Sequence, residues 1–193
     1  MHERTDTELM VAVGRGELSL LAELFDRHHL RLFNFFMRQT ARRDASEDLV
    51  QESFFRMLKY RTTYRAEASF AVWMYRIARN VLADRWRRTA PTDPLEVAHE
   101  IEAPGSSPYD DARLGQEVTM LRTALLSLPR DRRELIALVR YEALRYDEIA
   151  ELLDCSVGAV KVRTHRALAE LRDAYMALTG GDNDLRRAER AAD

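Results

Sequence analysis

The segment Tyr146 to Arg172, YDEIAELLDCSVGAVKVRTHRALAELR, limits what this chain can fold into more than any other stretch. Ile149, Leu152 and Leu153 give its first half an apolar stripe, while Val157, Val160, Thr164, Leu168 and Leu171 recur at three- and four-residue steps along its second half. Two short helices with such stripes share one small core. Asp154 and Cys155 leave room for a tight turn, and Ser156 stands where a hydroxyl accepts from an orphan backbone N–H at a helix start. With the stripe of the second helix turned inward, Lys161, Val162, Arg163, His165 and Arg166 point outward, as a helix lying in a DNA major groove requires. The segment reads as a helix-turn-helix. The competing reading, a solvated basic face on an ordinary helical hairpin, is weakened by the rest of the chain.

Nothing in the 193 residues alternates as a half-buried strand would, Gly and Pro are scarce, and Ala, Leu, Arg and Glu dominate, so the expected fold class is all-α. The length suits two small helical domains, each with its own core. The first residues are polar and acidic, with no apolar run of signal-peptide or membrane-span length, which predicts a cytoplasmic protein without membrane insertion. A single cysteine, Cys155, excludes an internal disulfide framework and reads as a small turn residue rather than a redox switch.

The formal net charge is only −2, but it is unevenly spread. Between Phe54 and Arg88 nine basic residues face only Glu67 and Asp84, whereas from Asp93 to Glu117 seven acidic residues face only Arg113. Prolines at 91, 94, 104 and 108, with Gly105, Ser106 and Ser107 beside them, mark the acidic stretch as a linker. The predicted organisation is therefore a domain over 1–90, a flexible acidic linker over 91–117, the helix-turn-helix domain over 118–177, and a disordered charged tail over 178–193. Within the first domain, Ser46 is expected to open a helix running to about Lys59. Its core stripe is Leu49, Val50, Phe54, Met57 and Leu58, and Asp48, Gln51, Glu52 and Phe55 lie on another side. A polar loop from Arg61 to Ser69 precedes one long helix over Phe70 to Arg88, and two helices over Val118 to Leu128 and Arg132 to Tyr141 follow the linker.

The long helix carries a second nucleic-acid signal. At about 100° per residue, Phe70, Met74, Ile77, Ala78, Val81 and Leu82 form its core face, and Trp73, Arg76, Asn80, Asp84 and Arg87 a neighbouring one. An aromatic, an amide and guanidinium groups on one stripe suit stacking, base-edge hydrogen bonds and phosphate contacts together, a combination that duplex DNA alone does not need. The loop before it, with Arg61, Tyr64, Arg65 and Glu67, is placed to form a pocket for an unstacked base.

These residues resemble the extracytoplasmic-function (ECF) sigma factors of bacterial RNA polymerase, over most of the chain. ASEDLVQESFFRML is similar to the family's helix that docks on the clamp of the polymerase beta-prime subunit, and FAVWMYRIARNVLADRWRR to its element that melts and reads the minus-ten promoter motif. LSLPRDRRELIAL with the helix-turn-helix resembles its minus-thirty-five-reading domain. The resemblance implies polymerase docking by Asp48, Gln51, Glu52 and Phe55. It implies minus-ten contacts by Arg61, Tyr64, Arg65, Phe70, Trp73, Arg76, Asn80, Asp84, Arg87 and Arg88, with a flipped base held by the loop from Tyr64 to Phe70. For the minus-thirty-five motif it implies base reading by Lys161, Val162 and His165 and phosphate clamping by Arg163 and Arg166. Implied partners are core polymerase, through beta-prime and beta, promoter DNA as duplex and single strand, and an anti-sigma factor. Ala66, Ala159 and Val162 stand where many relatives carry Gly, Thr and Ser.

No Ser/His/Asp or Cys/His pairing, phosphate-cradling glycine loop or carboxylate cluster can be assembled, so the expectation is a non-enzyme without cofactors. His28 and His29 beside Asp26 do not read as a metal site, because adjacent helical histidines point in different directions. The alternative from another class is a free-standing helix-turn-helix regulator whose N-terminal half senses or dimerises, but it leaves the Trp73 to Arg88 stripe and the Asp48 face unused.

Overall fold

The computed structural model describes residues 4–88, 108–142 and 144–190. Among them the regular elements are eight α-helices and one 3-10 turn: α1 Asp6–Gly14, α2 Leu20–Thr40, α3 Arg43–Lys59, the turn at Arg61–Thr63, α4 Phe70–Arg88, α5 Pro108–Ser127, α6 Arg130–Arg140, α7 Tyr146–Leu152 and α8 Val157–Arg190. The expected all-α class is what is found.

The N-terminal domain is built on α1 to α4. A capping box opens α1: the Glu8 N–H donates to Thr5 Oγ1 at 3.3 Å, and the Thr5 N–H donates to Glu8 Oε2 at 2.7 Å. Helix α2 ends at Ala41, whose φ of 58° places it in the left-handed region and turns the chain into α3. The break therefore falls at Ala41, and α3 starts at Arg43, three residues before the expected Ser46. Ser46 is buried inside the helix instead, its hydroxyl donating to the Arg42 carbonyl at 2.7 Å and lying 3.0 Å from Thr40 Oγ1. A polar side chain satisfied by the preceding turn does not stop a helix that its own neighbours pack down. Leu9, Leu24, Leu32, Phe35, Phe36, Met57 and Met74 are fully buried at the centre, each contributing about 1.5–3 kcal/mol of burial. His28 reaches Asp6 Oδ2 at 2.7 Å while His29 stacks on Phe25 at 4.8 Å, so the tandem histidines serve two separate contacts.

The C-terminal half departs from expectation at both ends. Helix α5 begins at Pro108, ten residues ahead of the expected Val118. Proline at a helix start loses no hydrogen bond there, and the run after it contains no further proline. At the other end α8 continues through Gly180 and Gly181 to Arg190, where a disordered tail was expected. Two glycines cost about 1 kcal/mol each, but propagation from an established helix is far easier than nucleation. Of the linker predicted over 91–117, residues 108–117 are instead the start of α5, while 91–107, like the last three residues of the chain, lie outside the described residues.

The two halves are not separate cores. Leu135, Leu138, Leu144, Ile149, Leu152 and Val160 belong to the same buried cluster as the N-terminal residues, with α4 packing on α7 and α2 on α6. A smaller cluster of Leu125, Leu128, Ile136 and Ala167 joins α5, α6 and α8.

Candidate nucleic-acid interface

The turn between α7 and α8 is built as its sequence suggests. Asp154 takes φ 50°, the Cys155 N–H donates to the Ala150 carbonyl at 3.0 Å, and Ser156 Oγ accepts from the Ala159 N–H at 3.1 Å. That cap sets the start of α8. Val160, Thr164 and Ala167 face the core, and Lys161, Val162, Arg163, His165 and Arg166 are all exposed on the opposite side. Val157 is exposed rather than part of the stripe, and Ala167 supplies the buried position between Thr164 and Leu168. The three predicted base readers and the two predicted phosphate clamps are thus all accessible.

On α3, Asp48, Gln51 and Phe55 are exposed, Phe55 to 61 %, which is unusual for so large an apolar ring. Glu52 is partly covered because it accepts from Arg56 Nε at 2.7 Å. Arg56 also donates to Asp84 of α4 at 2.6 Å, and Asp84 accepts from Arg87. The hydrogen bonds from Arg56 and Arg87 hold the Asp84 carboxyl below the usual carboxylate range. An ion chain therefore joins the α3 face to the α4 stripe, with Asp84 committed to two guanidinium groups rather than free for a base.

The α4 stripe itself divides. Arg76, Asn80, Arg87 and Arg88 are exposed and Trp73 is half-buried. Arg65 of the preceding loop is exposed, and Arg65, Ala66, Glu67 and Ala68 line an open depression completed by Glu151 of α7. Tyr64 and Phe70 do not share this surface: both are buried. The Tyr64 hydroxyl donates to the Ala68 carbonyl at 2.9 Å and lies 3.1 Å from Thr7 Oγ1, and its ring meets Trp73 edge-on at 5.3 Å. Arg61 turns back to the Leu58 carbonyl at 2.9 Å. Tyr64 and Phe70 shape the loop and brace Trp73 from behind, because ring burial and a satisfied hydroxyl outweigh solvent exposure at this point of the fold.

Sequence reasoning missed Tyr75 and Arg79. Tyr75 is fully buried on the C-terminal half, and Arg79 pairs with Glu134 of α6. A signal existed: Val72, Tyr75, Ala78 and Leu82 recur at three- and four-residue steps, a second apolar stripe beside Met74, Ile77 and Val81. A helix with two such stripes is buried on two sides.

Comparison with known proteins identifies the family of this fold. The family model of sigma-70 region 2 matches residues 24–92 and that of sigma-70 region 4 matches residues 119–171. The chain is 33% identical to the ECF RNA polymerase sigma factor SigE of Mycolicibacterium smegmatis over 91% of its own length and 69% of the relative's. It is 30% identical to the ECF RNA polymerase sigma factor SigW of Bacillus subtilis over 83% of its length and 91% of the relative's. The fold is shared with CnrH in complex with the cytosolic domain of CnrY, at a TM-score of 0.68 and 24% identity over 92% of this chain and 98% of that one. It is shared too with RpoE of Bartonella quintana in complex with the anti-sigma factor NepR, at 0.66 and 21% over 79% and 94%. With region 2 and region 4 matched in order and relatives aligned along most of its length, this chain belongs to the extracytoplasmic-function (ECF) sigma factors of RNA polymerase.

Proposed function

We propose that the chain docks on core polymerase through the α3 face of Asp48, Gln51, Glu52 and Phe55 and positions it on promoters through two DNA-reading surfaces. The N-terminal domain, up to about residue 90, engages the minus-ten region. Trp73 stacks on an unpaired base, Asn80 offers both a donor and an acceptor to a base edge, and Arg65, Arg76, Arg87 and Arg88 hold phosphates. Arg61, Tyr64 and Phe70 support the capture loop, and Asp84 fixes the arginines beside it. The C-terminal domain, over about 118–177, reads the minus-thirty-five duplex: Lys161, Val162 and His165 meet base edges while Arg163 and Arg166 clamp the backbone.

The chain supplies binding energy that favours opened DNA and leaves the chemistry to polymerase; it acts without a cofactor, in the cytoplasm where polymerase works. An anti-sigma factor is a further expected partner, since of the proteins sharing this fold RpoE was captured with the anti-sigma factor NepR, and CnrH with the cytosolic domain of CnrY. The observation that carries this reading is the pair of exposed faces with different chemistry: an aromatic-amide-guanidinium stripe on α4 and a capped basic helix at α8. A free-standing regulator needs only the second.

Run-off transcription with purified core polymerase, this protein and a fragmented genomic library tests it. Discrete new start sites sharing two spaced upstream motifs are expected. Duplex binding by the protein alone, with no transcripts, would overturn the reading in favour of the free-standing regulator.

A further inference from the structure

Helix α1 runs alongside the loop that precedes α4 and meets it at both of its ends. At the C-terminal end of α1, a Cβ on Gly14 would lie 3.2 Å from the Arg61 carbonyl oxygen, so a side chain there would push the start of the loop away. In the first turn of α1, Thr7 Oγ1 lies 3.1 Å from the Tyr64 hydroxyl, which is itself 2.9 Å from the Ala68 carbonyl. A phenol carries one proton, and a carbonyl can only accept. The Tyr64 hydroxyl therefore donates to Ala68 and accepts from the Thr7 hydroxyl, a relay of two hydrogen bonds from α1 into the loop.

That relay reaches the loop just behind its exposed tip. Arg65, Ala66 and Glu67 are exposed, the Ala68 N–H turns back to the Arg65 carbonyl at 3.0 Å, and Ala66 faces Thr7, Val11 and Ala12 of α1 across an open groove. The Tyr64 ring in turn meets Trp73 at 5.3 Å and Phe70 at 6.2 Å, both edge-on. The first turn of α1 is itself tied down. Asp6 accepts from Arg27 Nη1 at 2.9 Å and lies 2.7 Å from His28 Nε2, and His28 packs on Phe70 at 5.2 Å. Two consecutive residues of α1 are thus linked to the two rings that Trp73 rests on: Thr7 to Tyr64 directly, and Asp6 to Phe70 through His28.

We propose that Thr7 is a positioning residue for base capture: its hydroxyl fixes Tyr64, and through Tyr64 it sets the Trp73 ring and the Ala68 end of the loop in the geometry that receives an unpaired base. Thr7 itself touches no DNA. Apolar ring contacts are weakly directional, so packing alone lets Tyr64 slide at small cost. A hydroxyl held between a donor and an acceptor leaves the ring one position. This role rests on Trp73 being the stacking residue of the proposed function.

The test uses the full-length chain carrying Trp86→Phe, which leaves Trp73 as its only tryptophan. On this parent, Thr7→Val keeps the branched shape and removes the donor, while Thr7→Ser keeps the donor. In the free protein, Thr7→Val is expected to raise acrylamide quenching of Trp73 fluorescence, and Thr7→Ser to match the parent. With core polymerase on a promoter found by run-off mapping, Thr7→Val is expected to lower the permanganate-reactive open complex about fivefold, the worth of one side-chain hydrogen bond. Polymerase binding should stay unchanged, and Thr7→Ser should restore opening. Tyr64→Phe cuts the same relay from the other side, and adding Thr7→Val to it is expected to cost nothing more. Should Thr7→Val lower the helical circular dichroism, Tyr64→Phe alone carries both readouts. A folded variant with unaltered quenching or unaltered opening, or a Thr7→Ser that behaves like Thr7→Val, would overturn the positioning role. A parent that directs no transcription strikes the sigma-factor reading instead, and quenching then decides whether Thr7 sets Trp73.

Discussion

The two helices to which the proposed function gives DNA reading, α4 and α8, are built under opposite constraints. On α8 the reading side chains project from a helix buried on one side, start from a local serine cap, and face solvent. On α4 the corresponding groups grow from a helix packed on both α3 and α7, and most of its charged members already hold a protein partner: Arg76 with Glu151, Arg79 with Glu134, Asp84 with Arg56 and Arg87. A duplex groove accepts a preformed helix and asks little of the rest of the fold. Capturing an unstacked base requires a braced pocket, and bracing comes from tertiary contacts such as Tyr64 behind Trp73. Under the proposed function, the more demanding recognition is therefore the one more deeply built into the core.

That contrast can be broken most severely at Phe35, fully buried and edge-on to Tyr75 at 5.4 Å. Phe35→Ala should cost about 3–5 kcal/mol of stability, read by thermal denaturation. It should impair promoter opening more than binding to an upstream duplex, and equal loss of both would mean α8 depends on the N-terminal core as much as α4 does. Next in size, Asp48→Lys should sharply weaken binding to core polymerase in a pull-down titration while leaving duplex binding by α8 intact; normal polymerase binding would remove the α3 face from the account.

A more selective pair separates the two helices directly. Asn80→Ala should slow open-complex formation by about tenfold, the worth of one buried base-edge hydrogen bond, with polymerase assembly nearly unchanged in permanganate footprints and gel filtration. Lys161→Ala should leave opening intact and relax the upstream motif, costing roughly 1–3 kcal/mol of base discrimination in a selection from randomised promoters. An unchanged motif would assign Lys161 to the phosphates.

The smallest effect concerns pH. His28 is buried against Asp6 and Phe70, with Arg27 and Arg31 nearby, and burial depresses its pKa below the ordinary 6.5. The unfolded chain then binds its proton more readily than the folded one. Its contribution to stability is complete above pH 6.5 and is lost as pH falls through the lower folded value. The melting temperature should drop on acidification from pH 7 to 5, and His28→Phe should flatten that slope.

Much of this was legible in the residues. The helix-turn-helix, the α3 face and the exposed part of the α4 stripe all follow from 3.6-residue periodicity and capping chemistry, which are local. What escaped was non-local. Tyr64 looks like a surface aromatic until α1 and α4 are packed around it, and Ser46 looks like a cap until Ala41 has made the turn. Glu142 offers no pattern at all, because its partners lie 67 and more positions away. The acidic partners of the N-terminal arginines lie beyond the acidic linker: Glu134 of α6 and Glu151 of α7 meet Arg79 and Arg76 of α4, and Glu142 of the turn after α6 meets Arg31 and Arg38 of α2.

Helix α8 is 34 residues long, so at 1.5 Å of rise per residue it spans about 51 Å as one rod. Under the proposed function only its first turns touch the groove; the remainder is a lever arm rooted in the recognition face. A tilt of about 5° at the DNA end sweeps the far end of such a rod by roughly 4 Å. Anything grasping residues near 190 would feel, amplified by length, how the helix sits in its groove, and could push back through the same arm.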